Sequence, residues 1–342
     1  RFARWSEMRK MPKTPEPNKC SLLALLICLP LLVLSSLTQA KILYEERSLY
    51  TRLIVDDEGS IRCLKFTLIR KNSRQTCIDR NNPQRLVFDY AKMTLSALLL
   101  KPNPERILII GLGGGTLPNA LRDILPSAVI DTVEIDEAVV RVAKQFFGFA
   151  EDKQNRVYVQ DARVFGKRAA LRGEQYGLII LDAFDGEYIP EHLMTAEFLS
   201  EMRGLLSNDG VLVANTFASS KLYDYESATY AEAFGGFLNF RLPTSGNRVI
   251  LVPQARLDFD ARRPLDRKTL RANADTLKVS MAPYDVPLNR YVGTLLSLSK
   301  QKPDWDQRVR PLTDQFSPAN VLQSQRATRY WLAQYSSFSS RL

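Results

Sequence analysis

Residues 107–116 read ILIIGLGGGT, and this stretch decides the fold. Its four leading apolar residues predict a buried strand, and the glycines behind them let the chain turn sharply into a helix. Backbone amides at such a helix N-terminus can approach a ligand closely. A dinucleotide-binding fingerprint would need glycine at position 116, where this chain has Thr116. The turn therefore favours a nucleoside ligand that has no pyrophosphate, such as a sulfonium nucleoside.

Apolar runs alternate with helical stretches after this turn, as far as residue 236. A series of this kind predicts a parallel, doubly wound sheet with helices on both faces. Two further runs, Phe237–Leu242 and Arg248–Val252, are joined by a loop short enough for a hairpin, so the last strand is expected to run antiparallel. The parallel strands are predicted at Ile107–Ile110, Val129–Ile135, Val157–Val159, Leu178–Leu181 and Val211–Asn215.

Residues 41–86 precede this series and have a different pattern. Short alternating runs predict strands at Leu49–Val55, Ile61–Ile69 and Thr76–Asp79, and hence a small N-terminal antiparallel β-domain. Apolar residues at helical spacing predict a helix over residues 84–100. The expected parts are 1–40 as a signal peptide or membrane anchor, 41–86 as the β-domain, 87–254 as a Rossmann-like nucleoside-binding domain and 255–342 as a C-terminal extension of a few helices and a poorly ordered tail.

Length and composition place the chain among globular proteins. It has 342 residues, of which 45% are hydrophobic and 25% charged, and this excludes collagen-like, coiled-coil and wholly disordered classes. The net charge of +10 is not concentrated where nucleic-acid binding would need it, so the basic clusters are interpreted as solvated surface and no nucleic-acid partner is expected. His192 is the only histidine and the four cysteines form no CxxC pair, so no metal site is expected.

An uncharged segment, Cys20–Ala40, follows a basic N-terminal stretch. Its apolar centre, residues 21–37, and the small residue at its end match a secretory signal peptide. The alternatives are an uncleaved membrane anchor through residues 21–37 and a buried core helix, although Pro30 interrupts the segment. Either of the first two interpretations exports the downstream chain, to the periplasm or to a membrane with the domain outside the cytoplasm.

Export bears on Cys63 and Cys77, the two cysteines beyond residue 40. They lie in strand-like segments on either side of a polar turn, so antiparallel pairing can bring them into register. In an oxidising compartment a disulfide is then expected, and it would stabilise the fold by about 3 kcal/mol. Two unlinked thiols in a small sheet are the alternative.

Acidic residues end three of the predicted strands: Glu134, Asp161 and Asp182. A lone carboxylate at such a position is usually a helix cap or a turn residue. The carboxyl ends of neighbouring strands in a doubly wound sheet share one crevice, however, and the glycine turn opens into it too. Together these features predict a nucleoside pocket, in which Glu134 accepts from ribose hydroxyls and Asp161 from the adenine amino group.

Four motifs resemble, in order and spacing, those of the spermidine synthase (polyamine aminopropyltransferase) family. They are GLGGGT at 111–116, VEID at 133–136, QDA at 160–162 and LDAFDG at 181–186. The likeness covers residues 45–255, and Tyr90 and Met93 are similar to part of a tyrosine–acid–methionine helix of that family. It implies an α/β fold: a methyltransferase-like, doubly wound Rossmann sheet with a small N-terminal antiparallel β-domain. It also implies S-adenosylmethionine or its decarboxylated form as co-substrate, with no metal.

The resemblance assigns roles to individual residues. Asp182 would be the general base that deprotonates the attacking amine, with Asp185 helping to hold that amine. The acceptor would be a small-molecule amine, and a homodimer is left open. The implied co-substrate site consists of Gly111, Gly113, Gly115, Glu134, Asp136, Asp161, Ala162 and, on the same side, Gln75.

Four positions differ from the family's pattern, among them Ser96 in place of a histidine and Gly186 in place of a proline. Gly114 stands where the family has an aspartate for the aminopropyl group, and Lys92 where a glutamate faces the polyamine. Both differences favour a second hypothesis, an S-adenosylmethionine-dependent methyltransferase on the same fold. The signal-like segment favours a third, a non-catalytic exported nucleoside-binding module. His192 is expected either to line the acceptor entrance or to cap a helix at the surface.

Overall fold

The computed structural model describes residues 40–66, 74–184, 189–218, 222–243, 245–254 and 265–318. The predictions for the targeting segment, for Asp185 and for the tail beyond residue 318 lie outside these described residues. Within the part of the chain that the structure describes, every helix is too short or too polar to cross a bilayer.

The N-terminal sheet contains, among the described residues, five antiparallel strands that pair in chain order. This arrangement confirms the small antiparallel sheet, although the first and last strands are absent from the sequence-based prediction. The strands are β1 (Lys41–Arg47), β2 (Arg52–Glu58), β3 (Ile61–Lys65), β4 (Arg74–Asp79) and β5 (Asn82–Leu86).

The first helix begins later than the sequence predicts. Residues 82–86 pair with β4 as an edge strand, and the buried Leu86 lies opposite Ile78. Pro83 has no N–H to donate, which an edge strand tolerates and a helix interior does not. The helix predicted from residue 84 is therefore wrong in its first turn. It begins at Asp89, as α1 (Asp89–Leu95), and continues into a 3₁₀ turn, Ser96–Leu99.

A disulfide joins the middle of this small sheet. Cys63 of β3 and Cys77 of β4 are directly opposite each other, both are buried, and their sulfurs are bonded. The predicted disulfide is confirmed, and the alternative of two unlinked thiols is wrong. The link fixes the two strands one residue away from Thr76.

A second, larger sheet contains β6 (Arg106–Ile110), β7 (Val129–Glu134), β8 (Asn155–Val159), β9 (Tyr176–Leu181), β10 (Leu206–Phe217), β11 (Leu238–Arg241) and β12 (Asn247–Pro253). Their spatial order is β11–β12–β10–β9–β6–β7–β8. The strands β6 to β10 are parallel, and β12 runs antiparallel to both of its neighbours. The doubly wound α/β sheet and its antiparallel last strand are therefore confirmed.

Helices cover both faces of the larger sheet. They are α2 (Thr116–Ile124), α3 (Glu137–Phe146), α4 (Ala162–Leu171), α5 (Ala196–Gly204), α6 (Tyr223–Phe234), α7 (Arg267–Met281) and α8 (Leu288–Leu298). Successive residues of a strand point to opposite faces. Ile107 and Ile109 accordingly pack in one core with α1, α2, α7 and α8, and Leu108 and Ile110 pack in another with α4, α5 and α6. Helix α3 packs against β2 and β3 of the N-terminal sheet.

The order of the strands reverses at the centre of the larger sheet. Strand β6 lies between β7 on one side and β9 on the other. The connection after β6 leads to one side, toward β7, and the connection after β9 leads to the other side, toward β10. In open α/β sheets a ligand binds in the crevice at this switch point. The glycine turn after β6 and the ends of β7, β8 and β9 all face this crevice.

Candidate active site

A cavity of about 340 Å³ opens at this crevice, and both sheets contribute to its wall. Of the predicted site residues, Gly115 is not on the wall, and Asp185 lies outside the described residues. The predicted residues that line the cavity are Gln75, Gly111, Gly113, Glu134, Asp136, Asp161, Ala162 and Asp182.

Gly111 is required by the contact between two strand ends. Its φ is +99°, and a Cβ added there would lie 2.4 Å from the backbone oxygen of Asp182. The Asp182 amide donates to the Ile110 oxygen at 2.8 Å, so the backbones after β6 and β9 touch. A side chain at position 111 would therefore displace Asp182, whatever ligand is bound.

The next two glycines contact Thr76 of the N-terminal sheet. The Gly114 amide donates to Thr76 Oγ1 at 3.0 Å. A Cβ on Gly113 would lie 2.6 Å from that oxygen, and one on Gly114 would lie 2.7 Å from the Thr76 methyl carbon. Thr76 is buried and also lines the cavity. The turn is therefore closed against β4, and position 114 has no room for a side chain.

Gly115 immediately precedes α2 and is not on the cavity wall. Its φ is +76°, and a Cβ there would lie 2.7 Å from the Phe149 ring. The resemblance implies that Gly115 borders the co-substrate, and in the structure Phe149 fills the space that a side chain at this position would take. Left-handed backbone geometry and close packing explain the glycine.

Glu134 ends β7 with its carboxylate held by backbone amides. Oε2 accepts from the Leu112 amide at 3.0 Å, and Oε1 accepts from the Asp136 amide at 3.0 Å. Burial raises the pKa of Glu134, although these amides lower it. The carboxylate is thus fixed at the cavity wall beside the glycine turn, where it can accept hydrogen bonds from ligand hydroxyls.

Two other acidic residues of the wall are helix caps. Asp136 caps α3 by accepting from the Ala138 amide, and its second oxygen accepts from the Ser48 hydroxyl. Asp161 caps α4 by accepting from the Val164 amide at 2.9 Å. Asp136 and Asp161 therefore each cap a helix and also line the cavity.

His192 lies against the second oxygen of Asp161, with Nε2 and Oδ2 3.0 Å apart. It lines the cavity, and its side chain is 48% exposed. Ile135, Pro190 and Leu193 add apolar surface to the wall. An acidic hydrogen-bond acceptor beside flat apolar surface is a suitable site for the edge of a nucleobase.

Asp182 receives a hydrogen bond at each carboxylate oxygen. Oδ1 accepts from Asn215 Nδ2 at 2.8 Å, and Oδ2 accepts from the Tyr90 hydroxyl at 3.3 Å. Burial raises the pKa of Asp182 to about 7, although the two hydrogen bonds lower it. Burial, followed by the charge of Asp182, raises the pKa of Tyr90 well above its usual value. A carboxyl group whose pKa is near neutrality is suited to act as a general base.

Lys92 does not face the cavity. Its Nζ atom donates to Asp285 Oδ2 at 2.8 Å, and Lys92 is absent from the cavity wall among the described residues. Asp285 belongs to the turn between α7 and α8. The ammonium group is therefore neutralised by the C-terminal extension, away from the site where a cationic substrate would lie.

Sequence reasoning missed two residues of the site. Asn215 ends the predicted strand Val211–Asn215, so the rule that located Glu134 at a strand end could have found it. Thr76 carries no such signal, because it reaches the glycine turn from another sheet and only the tertiary structure brings the two together.

Known proteins resemble this chain in sequence and in fold. A family model described as the spermine/spermidine synthase domain matches residues 88–243. The polyamine aminopropyltransferase of Vibrio vulnificus is 47% identical over 308 residues, which cover 89% of this chain and 99% of that protein.

Two solved structures share the fold. A probable spermidine synthase from Corynebacterium glutamicum has 18% identity and a TM-score of 0.55, covering 79% of this chain and 99% of that one. A spermidine synthase in complex with the transition-state analogue AdoDATO has 20% identity and a TM-score of 0.51, covering 75% of this chain and 89% of that one. With the near full-length match to the Vibrio protein, the chain belongs to the family of polyamine aminopropyltransferases, the spermidine and spermine synthases.

Proposed function

We propose that this protein transfers the aminopropyl group of decarboxylated S-adenosylmethionine to a small amine. The observation that carries the proposal is the Asp182 carboxylate, held at the cavity wall with a pKa of about 7. The 47% identity with a whole protein named polyamine aminopropyltransferase supports the same reaction.

The co-substrate fits the residues of the cavity. Glu134 would accept from the ribose hydroxyls, and Asp161 would accept from the adenine amino group. The apolar side chains of Ile135 and Leu193 line the same wall and would contact the base. The co-substrate supplies a sulfonium sulfur, which is a good leaving group for an alkyl carbon.

The chemical step then needs a neutral amine. The amine lone pair attacks the carbon next to the sulfonium, a C–N bond forms, and the C–S bond breaks. The sulfur keeps the bonding electrons and leaves as a thioether, methylthioadenosine. Asp182 accepts the proton that the amine loses. General base catalysis of this kind contributes roughly 10² to 10⁴ in rate.

Tyr90 and Asn215 prepare Asp182 for this step. Both donate to the carboxylate, so they favour its ionised form and fix the direction of its oxygens. Burial alone would raise the pKa further and leave the carboxyl group protonated at neutral pH. The balance of the two effects keeps the base close to the pH at which it must work.

Methyl transfer on the same fold is the second candidate. The observation that favours it is Gly114, where Thr76 leaves no room for an acidic side chain that could hold a ligand ammonium group. The structure removes Lys92 as an argument for methyl transfer, because the Lys92 ammonium group is paired with Asp285 outside the cavity.

Calorimetric titration of the full chain separates these candidates. The ligands are S-adenosylmethionine, its decarboxylated form, methylthioadenosine and putrescine, added singly and in pairs. Tight binding of the decarboxylated form, followed by putrescine in the presence of methylthioadenosine, is the expected result. Preferred binding of intact S-adenosylmethionine would support methyl transfer instead. A chain that binds none of the nucleosides would contradict both candidates.

Export is a separate proposal, supported by the signal-like segment and by the Cys63–Cys77 disulfide. Disulfides persist mainly in oxidising compartments. Fractionation of cells that produce the full chain should place the protein in the periplasm or at the membrane, oxidised at both cysteines. Recovery of a reduced protein with the cytoplasmic fraction would contradict export and leave the transferase proposal intact.

A further inference from the structure

Three side chains form a hydrogen-bonded relay that ends at Asp182 on the cavity wall. Asn247 Nδ2 donates to Asn215 Oδ1 at 3.0 Å, and Asn215 Nδ2 donates to Asp182 Oδ1 at 2.8 Å. We infer that Asn247 is a positioning residue for the general base Asp182. Asn247 acts by fixing the orientation of the Asn215 amide, which in turn contacts Asp182. The inference rests on the proposed function only for the catalytic role of Asp182.

The strand order of the larger sheet creates this relay. Strand β10 lies between β9 and β12, so Asn215 on β10 can reach Asp182 just beyond β9 and Asn247 at the start of β12. The Asn247 backbone is itself held in the hairpin, where its amide donates to Ser245 Oγ at 3.1 Å. The sheet and the hairpin therefore place the backbone of each member of the relay.

A side-chain amide is a donor at one end and an acceptor at the other. Asn215 is only 4% exposed, so both ends need partners within the protein. Because Asn247 donates to the Asn215 oxygen, only the NH₂ group of Asn215 can face Asp182. With its NH₂ group facing Asp182, Asn215 donates to the ionised carboxylate. It presents no acceptor to the O–H group of a protonated Asp182.

Without Asn247, the Asn215 amide could turn over when Asp182 is protonated. Its oxygen would then accept from the Asp182 O–H and stabilise the neutral acid. Asn247 therefore favours the ionised, proton-accepting form of Asp182 without touching it. An acceptor in place of Asn247 would reverse this preference, because it would attract the NH₂ group of Asn215 and turn the oxygen toward Asp182.

The other titratable groups near Asp182 are common to all variants of position 247. Glu226, on α6 below Asn215, is paired with the buried Arg248 at 2.8 Å. Among the described residues, the remaining titratable groups on the cavity wall are Tyr50, Tyr90, Glu134, Asp136, Asp161 and His192. Differences between variants therefore report on the relay.

The test measures the pKa of Asp182 directly in the full chain, by ¹³C NMR titration of labelled aspartate carboxyl groups. The Asp182 signal is the one that Asp182→Asn removes. We expect Asn247→Ala to raise this pKa by about one unit, and Asn247→Asp to raise it further. Ser245→Asp adds the same charge two residues away and keeps a side-chain acceptor for the Asn247 amide, so it should have a smaller effect than Asn247→Asp.

The acid limb of the pH profile of aminopropyl transfer should move with the NMR value, while the affinity for the decarboxylated donor stays at the wild-type level. An unchanged Asp182 pKa in a folded Asn247→Ala protein would overturn the inference, as would equal shifts for Asn247→Asp and Ser245→Asp. A shifted pKa in a protein that transfers no aminopropyl group would uphold the relay and reject the proposed function. The two failures are therefore distinguishable.

Discussion

The Thr76 hydroxyl oxygen accepts a hydrogen bond from the Gly114 backbone amide, 3.0 Å away. Thr76 belongs to β4 of the N-terminal sheet, and Gly114 belongs to the turn that follows β6 of the larger sheet. The bond therefore joins the two sheets at the cavity wall. A buried amide that lost its acceptor would cost about 1–3 kcal/mol. The small sheet thus helps to hold the glycine turn in the shape that a nucleoside needs.

Replacing Thr76 by valine tests this contact, because valine keeps the shape of the side chain and removes the acceptor. We expect Thr76→Val to bind decarboxylated S-adenosylmethionine about tenfold more weakly. Thr76→Ser keeps the hydroxyl and should bind like the wild type. Calorimetric titration of the three proteins measures the effect. Equal affinities for wild type and Thr76→Val would show that the turn keeps its shape without the hydrogen bond.

The disulfide beside Thr76 should stabilise the whole fold. It closes a loop with a sequence separation of 14 residues, so its removal should lower the free energy of unfolding by about 3 kcal/mol. A Cys63→Ala/Cys77→Ala double variant and the reduced wild type should both unfold at a lower denaturant concentration than the oxidised wild type. Reductant should have no effect on the double variant. A wild-type midpoint that is insensitive to reductant would contradict the prediction.

The central part of the site could be predicted because its residues follow strands. Glu134 and Asp182 sit at the carboxyl ends of predicted parallel strands, and such ends share one edge of a sheet. The glycine turn adds a signal that depends only on local backbone geometry. For these residues, the local sequence and a general rule of sheet topology are sufficient to predict their place in the site.

The rest of the site depends on tertiary contacts that no local pattern encodes. Thr76 reaches Gly114 from another sheet, and Asn247 reaches Asn215 through the register of a hairpin. Gly115 resembles a ligand-binding glycine in the sequence, but in the structure Phe149 packs where its side chain would be. Whether a glycine faces a ligand or a packed ring depends on the residues that fold against it.

The raised pKa of Asp182 makes stability depend on pH. In the folded protein this pKa is about 7, whereas an unfolded aspartate titrates near about 3.9. The folded state therefore binds the proton more tightly, and Asp182 contributes stability that is fully present below the unfolded pKa and is lost as the pH rises through about 7. As the pH rises between these two pKa values, we expect the free energy of unfolding of the wild type to fall relative to that of Asp182→Asn.

Thermal unfolding of both proteins between pH 4 and pH 8 measures the difference. Asp209→Asn is the matched control, because Lys101 lowers the pKa of Asp209. The contribution of Asp209 is therefore lost only at the acid end of this range and should be constant near neutral pH. A constant difference in melting temperature between wild type and Asp182→Asn would show that Asp182 has an ordinary pKa.

The pairing of Lys92 with Asp285 leads to a prediction about the acceptor. If the ammonium group of Lys92 is neutralised outside the cavity, Lys92→Ala should leave the KM for the amine within about twofold of the wild type. Asp285→Asn removes the partner of Lys92 and frees its side chain to turn toward the cavity. This should raise that KM, since an ammonium group there would repel a cationic amine. Steady-state kinetics with putrescine check both. A large fall in KM for Lys92→Ala would mean that Lys92 faces the substrate in the working enzyme.

The most direct test of the account is the rate of aminopropyl transfer by wild type and Asp182→Asn, measured as methylthioadenosine released from decarboxylated S-adenosylmethionine and putrescine. Asparagine has nearly the same shape and can still accept hydrogen bonds, but it cannot take a proton from the amine. We expect kcat to fall by roughly 10² to 10⁴, with donor affinity within about twofold of the wild type. Equal turnover by the two proteins would contradict the assignment of Asp182 as the base.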